Sequence, residues 1–392
     1  MSKQPSSPLS PELIDACRTR QDRLRESLAT HAVDAAIINC EKDIRYLTGF
    51  VGHDSLVLAP ADGPTAIISD PRYDEFLNPW REIATNRGDD GLGEVHMGTR
   101  HRLHETIKTI SDKRGYKRVA LQADHLTIND RQAFEQSLGN DRLVDRAKLV
   151  ATLRMCKDEL EVQIIEKALH IQQQALHAAL SQLSLGMTER ECCALLEYEM
   201  KTRGGDKPSF DIIIGAGSNS SIIHHMPGDR RIDRGVLLVD WGCEVDGYCG
   251  DITRTFGVGE LPAKIKEIYT IVHKAQLQAI EACRPGKTCA EIDAVAREAI
   301  SRAGYGEYFG HGLGHGLGMD VHEMPYFNNL QTDIVLQPGM VMTVEPGIYL
   351  PGEGGVRIED DVLITDDGVR VLSSWPKGLD EAIVEPAGAA TV

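Results

Sequence analysis

The chain is short of positive charge for its size: 42 Lys and Arg stand against 59 Asp and Glu, a formal net charge of −17 over 392 residues. A surface that acidic repels phosphate backbones and anionic lipid, which argues against nucleic acid and membrane as partners. No apolar run approaches the roughly 18 residues of a bilayer span. The opening MSKQPSSPLSP has Pro and Ser where a secretory leader would be continuously apolar. Nine cysteines is an odd number, none of them forms a C-x-x-C pair, and zinc-ribbon spacing is absent. Reduced thiols and a cytoplasmic location are expected. What is present suffices for a buried core: 42% hydrophobic and 26% charged residues exclude a disordered chain, and the length suggests two domains.

Residues 1–12 read as a flexible tail rich in Ser and Pro. Arg18 to His31 looks helical and DAAIINC (34–40) is a buried strand. DSLVLAP (54–60) and PTAIISD (64–70) flank Ala61-Asp62-Gly63 as a hairpin. KRVALQ (117–122) and NDRQAFEQSL (129–138) add a strand and a helix, so residues 13–152 make an α/β domain. The texture then changes. Leu160, Ile164, Ala168, Ile171, Ala175 and Ala178 recur as one face of a long helix. Thr188 with Glu191 fits a capping box for the next. Strand hairpins follow, so residues 153–384 read as an α+β domain, with a loose tail at 385–392 and no visible internal repeat.

Three segments carry chemistry. Asp240 interrupts the apolar run GVLLVDWG, and a lone buried carboxylate is costly without compensation. Asp246-Gly247 is a type I′ turn signal; the register it sets puts Asp251 opposite Gly242, so Asp240 and Asp251 converge on one face of one hairpin. GHGLGHGLGMDVHE (310–323) has too many glycines for a helix, each costing roughly 1 kcal/mol relative to Ala. H-E-x-x-H is absent because Tyr326 stands at the second His position, and no G-K-[ST] follows to make a phosphate loop. In an extended chain His311, Leu313 and His315 would share one face and the glycines the other, where backbone or ligand can approach closely. In TVEPGIYLPGEGGVRIEDDV (343–362), Glu345 and Glu359 sit in apolar strands, with Arg357 two residues from Glu359 as a local partner. Each feature alone also fits a bland reading: surface aspartates by a turn, a structural histidine, an exposed Arg–Glu pair. Together they place four carboxylates and a histidine in apolar strands. Four like charges in one pocket raise one another's pKa, and two divalent cations would cancel them and activate a water for hydrolysis. Oxygen-rich ligation with one imidazole suits Mn first, with Co, Zn or Fe as alternatives.

The strings VDWGCEVDGYCGDITRTF, HGLGHGLGMDVHE, TVEPGIY and GVRIEDD resemble the pita-bread metallopeptidases: methionine aminopeptidase, aminopeptidase P and prolidase, with creatinase a metal-free cousin. RYLTGF (45–50) and DPRY (70–73) look like the creatinase-type N-terminal domain, and LRMCKDELE (153–161) like the opening of the catalytic domain. Methionine aminopeptidases lack that first domain, so the aminopeptidase P and prolidase branch is implied. The resemblance implies a creatinase-like N-terminal domain, a pita-bread catalytic domain and a homodimer. It makes Asp240, Asp251, His315, Glu345 and Glu359 the ligands of two divalent metal ions, with Asp251 and Glu359 bridging. It gives Glu345 a second role, moving a proton from the attacking water to the leaving nitrogen. His322 matches a histidine at the substrate amide, and Arg357 would orient a ligand carboxylate. In SIIHHMPGDR (221–230), His224 matches the residue that stabilises the tetrahedral intermediate. The interval to Asp240 is one residue shorter than the family pattern, which leaves His225 as the alternative.

The expected substrate is a peptide with proline second. Prolidases place an arginine after or shortly beyond H-E-x-P, to meet the dipeptide carboxylate. Here Tyr326 stands there, and no Arg or Lys occurs between 323 and 345. That favours an Xaa-Pro aminopeptidase acting on longer peptides. Xaa-Pro dipeptidase and related C–N hydrolases such as ectoine hydrolase are the alternatives. A metal-free binding protein on the same fold is disfavoured, because all five ligand positions are intact.

Overall fold

The computed structural model of the chain describes residues 9–87 and 92–387. Residues 1–8 and 388–392 of the expected tails lie outside them. The chain divides into two compact units between Arg154 and Met155.

The first unit opens with α1 (Pro11–Thr30), which begins inside the expected tail. Ser10 caps it by accepting from the Leu13 N–H at 3.2 Å, and Pro11 suits the first turn. There follow β1 (Ala35–Ile38), α2 (Glu41–Thr48), β2 (Leu56–Pro60), β3 (Ala66–Ser69), α3 (Asn78–Arg87), β4 (Glu94–Met97), α4 (Leu103–Arg114), β5 (Val119–Gln122), α5 (Ile128–Leu138), β6 (Leu143–Arg146) and the short α6 (Ala151–Arg154). The strands form one six-stranded sheet, ordered β4-β3-β2-β1-β5-β6. β2 pairs antiparallel with β1 and β3, as the expected hairpin requires, and the remaining pairs are parallel. The RYLTGF string is the end of α2 and its left-handed cap Gly49 (φ 71°).

The second unit holds α7 (Glu159–Ser181), α8 (Glu189–Thr202), β7 (Lys207–Pro208), β8 (Ile213–Ala216), β9 (Gly235–Trp241), β10 (Cys243–Val245), β11 (Tyr248–Cys249), β12 (Ile252–Val258), α9 (Ala263–Ala282), α10 (Cys289–Arg302), β13 (Gly314–Gly316), β14 (Glu323–Phe327), β15 (Val341–Val344), β16 (Gly347–Leu350), β17 (Gly354–Arg357), β18 (Asp360–Ile364), β19 (Val369–Val371) and β20 (Ile383–Val384). Two larger sheets, β20-β12-β9-β8 and β14-β13-β15-β18-β19, carry most of the strands, with β11-β10-β7 and β16-β17 as smaller ones. Their apolar residues pack with α9 and α10 in one core that includes Ile268, Val272, Ile292, Val344 and Val356.

Two readings of this unit need correction. The buried stripe of α7 keeps the expected Ala168, Ile171 and Ala175 but continues through Glu161, Ile165, Gln172 and Ala179, whereas Leu160, Ile164 and Ala178 are only half-buried. The core side is thus rotated by about one residue, because two of its members are polar groups that periodicity discounts. Gln172 is there to accept the Cys243 N–H (2.9 Å), and Glu161 to accept the Tyr248 hydroxyl (3.1 Å). The unit also contains a structural repetition that the sequence hides. α7–α8 and α9–α10 are each joined through Gly-x-Thr, at Gly186 (φ 85°) and Gly286 (φ 88°), and each second helix starts with a capping box, Thr188–Glu191 and Thr288–Glu291.

Candidate metal centre and active site

Asp246 (φ 49°) and Gly247 (φ 77°) are both left-handed, as a type I′ turn demands. They set the expected register: Glu244 faces Cys249, Trp241 faces Ile252 and Asp240 faces Thr253. Asp251 lies where the hairpin passes from β11 to β12. The two glutamates lie at the corresponding breaks in a second pair of strands. β15 pairs with β18 as far as Val344–Asp360, β16 pairs with β17 from Gly347–Arg357, and Glu345 and Glu359 occupy the gaps between. A strand that changes sheets turns its side chains out of the regular alternation, and here it turns them into one cavity.

That cavity, about 650 Å³, is lined by Asp240, Asp251, His315, Glu345 and Glu359, together with His224, His311, His322 and Arg357. Every expected site residue is brought to it. Ligand atoms of Asp251, His315 and Glu359 lie within 4.8 Å of one another. His315 Nε2 is 3.3 Å from Glu345 Oε1 and 3.7 Å from Asp251 Oδ2. The other ring nitrogen, Nδ1, faces the Gly316 carbonyl at 3.2 Å and so carries the proton. A bare Nε2 lone pair is then aimed at carboxylate oxygens, which is repulsive unless a proton or a cation stands between them. Asp240 Oδ1 is buried without a hydrogen-bond partner among the described residues. Burial first, then the neighbouring carboxylates, raises the pKa of Asp251 and Glu359 well above the usual range. Burial pushes Glu345 up to about 8 and the His315 imidazole down to about 4. The donor set therefore fits divalent cations on oxygen-rich ligands, and its own repulsion is what such ions would relieve.

The surrounding side chains hold these donors in place. Arg357 is 2% exposed, so it is no surface residue. Its partner is not Glu359, as the local spacing suggested, but Asp240, to which Nη2 donates at 2.6 Å. Nε donates to Thr253 Oγ1 (3.0 Å), and that hydroxyl in turn donates to Glu359 Oε2 (2.6 Å). Residues two apart on a strand share a face, but β17 ends at Arg357, and the break before Glu359 separates the two side chains. Thr343 supports the opposite wall, accepting the His315 N–H at 3.0 Å and lying 3.4 Å from Glu345 Oε1. Asp361 accepts the Asp251 N–H at 3.2 Å.

The glycine-rich run is also arranged differently. Leu313 is fully buried in the apolar core, while Gly312 and Gly314 join His311 and His315 along the cavity. The glycines are there for backbone packing. A Cβ at Gly314 would stand 2.1 Å from the Thr343 carbonyl oxygen, and one at Gly316 2.4 Å from that of Met324. His322 sits edge-on against His315, ring centroids 4.3 Å apart.

The adjacent histidines both line the cavity but differ in their partners. His225 is tied to Glu189 Oε2 at 2.8 Å, whereas His224 is exposed on the cavity wall and makes no side-chain hydrogen bond among the described residues. Two members of the site had no role in the sequence reading. His311 Nε2 lies 2.9 Å from the Tyr349 hydroxyl, which also accepts from Arg357 Nη1 at 2.9 Å. His311 was visible in the glycine-rich run. Tyr349 reads only as a strand residue, and nothing local marks it as the link between His311 and Arg357.

Comparison with known proteins finds a family match in each of the two units. Residues 163–366 match the family "Metallopeptidase family M24", and residues 20–156 match "Creatinase/Prolidase N-terminal domain". A protein of Pyrococcus furiosus named Xaa-Pro dipeptidase is 47% identical over 59% of this chain and 66% of its own. Among solved structures, an Xaa-Pro dipeptidase from Bacillus anthracis superposes with a TM-score of 0.85 at 34% identity, covering 94% of this chain and all of its own. An X-Pro aminopeptidase from Thermotoga maritima gives 0.82 at 33%, covering 93% and 100%.

Proposed function

Since the chain belongs to metallopeptidase family M24, we propose that it is an Xaa-Pro peptidase with two divalent metal ions, acting by preference on Xaa-Pro dipeptides. The observation that carries the metal reading is the convergence of Asp240, Asp251, His315, Glu345 and Glu359 on one cavity, with a carboxylate oxygen unpartnered among the described residues and an imidazole lone pair facing carboxylates. Those five side chains would hold the ions. When bound, the ions supply Lewis acidity and acidify water at neutral pH. Manganese is the metal proposed, and a homodimer in the cytoplasm the setting.

The remaining work falls to the chain's own residues. Glu345, at the strand break, accepts a proton from the attacking water as its oxygen bonds to the scissile carbonyl carbon. It delivers that proton to the proline nitrogen as the C–N bond breaks, and the carboxylic acid so formed gives its remaining proton to the basic imino nitrogen, leaving a carboxylate and a free imino acid. His224 donates to the carbonyl oxygen as charge builds there. His322 orients the scissile amide, and Phe210, Ile213 and Phe327 exclude water from the cavity.

The preference for dipeptides rests on the Xaa-Pro dipeptidases among the similar proteins, and it reverses the expectation drawn from the segment after Glu323. One observation favours the other reading, an aminopeptidase on longer peptides. Arg357 is the one Arg or Lys lining the cavity among the described residues, and Asp240 and Tyr349 already engage it. A panel of Xaa-Pro dipeptides against Xaa-Pro-Yaa tripeptides with Mn²⁺ added separates the two. A higher kcat/KM for the dipeptides is expected. The reverse order assigns the aminopeptidase activity, and cleavage of neither overturns the peptidase reading.

A further inference from the structure

Glu189 is the first residue of α8 and is fully buried, yet it lies on no wall of the cavity. Its two oxygens take four hydrogen bonds. Oε1 accepts from the Ala216 N–H and from Asn219 Nδ2, each at 2.9 Å. Oε2 accepts from His225 Nε2 at 2.8 Å and from the Gly228 N–H at 3.1 Å. All four donors belong to the segment Ala216–Gly228, which leaves the end of β8 and carries His224, one of its few exposed residues. One carboxylate therefore clamps both ends of this segment and the residue beside His224. A carboxylate can only accept, so the His225 proton sits on Nε2. Although burial raises the Glu189 pKa, the donors outweigh it and hold the group below the usual carboxylate range. Ser220 fastens the same segment to β17: its Oγ accepts the Gly355 N–H at 2.9 Å, two residues from Arg357.

We propose that Glu189 is a positioning residue: through His225 and the backbone of Ala216 and Gly228 it holds His224 on the cavity wall, without touching substrate. The physical ground is that His224 itself is exposed and has no side-chain partner among the described residues, so its place must come from the backbone that carries it. A loop whose ends and centre share one buried acceptor has little freedom to shift, and a misplacement of about 1 Å at a reacting group can cost 10²-fold in rate. The inference rests on the reading of His224 as the group that meets the developing oxyanion.

Glu189→Gln keeps the shape of the side chain but turns an NH2 towards two N–H donors. Metal-loaded wild type, Glu189→Gln, His224→Ala and the double variant are compared by kcat, KM and metal content, with thermal melting as a check on folding. Glu189→Gln should lower kcat about tenfold with KM and metal content nearly unchanged. The same change on the His224→Ala background should move kcat less than twofold. An equal loss on both backgrounds, or none on either, overturns the proposal. Selective ¹⁵N labelling of histidine supplies a readout independent of turnover: Glu189→Gln should shift the hydrogen-bonded Nε2–H signal of His225, or abolish it where the NH2 takes the Oε2 position, and shift and broaden that of His224. If His224→Ala turns over at the wild-type rate, the reading of His224 fails, and the spectra alone then decide the positioning. Unchanged His224 signals would reject it.

Discussion

Arg357 donates to Asp240 at 2.6 Å across 117 positions of sequence, and both residues are buried. The same guanidinium reaches Tyr349 and, through Thr253, Glu359. It thereby ties an aspartate of one sheet to a glutamate at the break in another, and fixes the distance between two of the proposed ligands.

Arg357→Lys should therefore be far from conservative. A single ammonium cannot replace a planar fork that meets three partners at once. Metal affinity and kcat/KM should each fall by about 10–100-fold, the usual cost of losing the partner that orients a ligand. Isothermal titration with Mn²⁺ beside steady-state kinetics checks both, and wild-type values in each would remove Arg357 from the site.

Glu345→Gln should abolish turnover while leaving peptide affinity within a few-fold. The amide fills the same volume and can still coordinate weakly, but it cannot take a proton. Equilibrium binding of an uncleaved peptide, measured beside turnover, makes the distinction; turnover near the wild-type rate would show that the proton travels by another route.

The metal-stripped protein should lose stability as pH rises. The folded-state pKa of Glu345 is raised to about 8 from an ordinary 4.5, and those of Asp251 and Glu359 are raised as well. A carboxyl raised in the folded state contributes stability that is complete below its unfolded pKa and is lost as pH climbs through the folded one. The window for Glu345 is thus from about 4.5 to about 8. The melting temperature after chelation should fall across it, and the gain on adding Mn²⁺ should be larger at pH 8 than at pH 5. Differential scanning fluorimetry at both pH values is sufficient; an equal gain at both would deny that these carboxylates hold protons when the metal is gone.

Gly314→Ala should destabilise the catalytic unit even though it adds one methyl group. The new Cβ would meet the Thr343 carbonyl oxygen at 2.1 Å, and that oxygen is backbone that cannot rotate away. Overpacking of this kind costs about 1–3 kcal/mol. Urea denaturation should show the loss, and Gly286→Ala serves as the control: its Cβ meets nothing within 4 Å, so any cost there comes from its φ of 88° alone.

What the sequence determined by itself was what a few consecutive residues settle. Asp246 and Gly247 take left-handed conformations that few other pairs tolerate, and this sets the register that brings Asp240 and Asp251 together. Thr188 with Glu191 starts a helix because the two side chains answer each other's backbone. The four carboxylates stand out because acidic groups in apolar runs need compensation wherever the chain goes, and the family resemblance of the glycine-rich run adds His315 to them. Only tertiary structure decided which partner each side chain meets. Arg357 prefers distant Asp240 to neighbouring Glu359, Leu313 turns to the core while His311 and His315 face the cavity, and His225 is taken by Glu189. Turn sterics and helix caps act over a few residues and are written in local sequence. A buried hydrogen bond or a packed methyl is settled by whichever surface the folded chain brings opposite, and residues tens to more than a hundred positions away supply it.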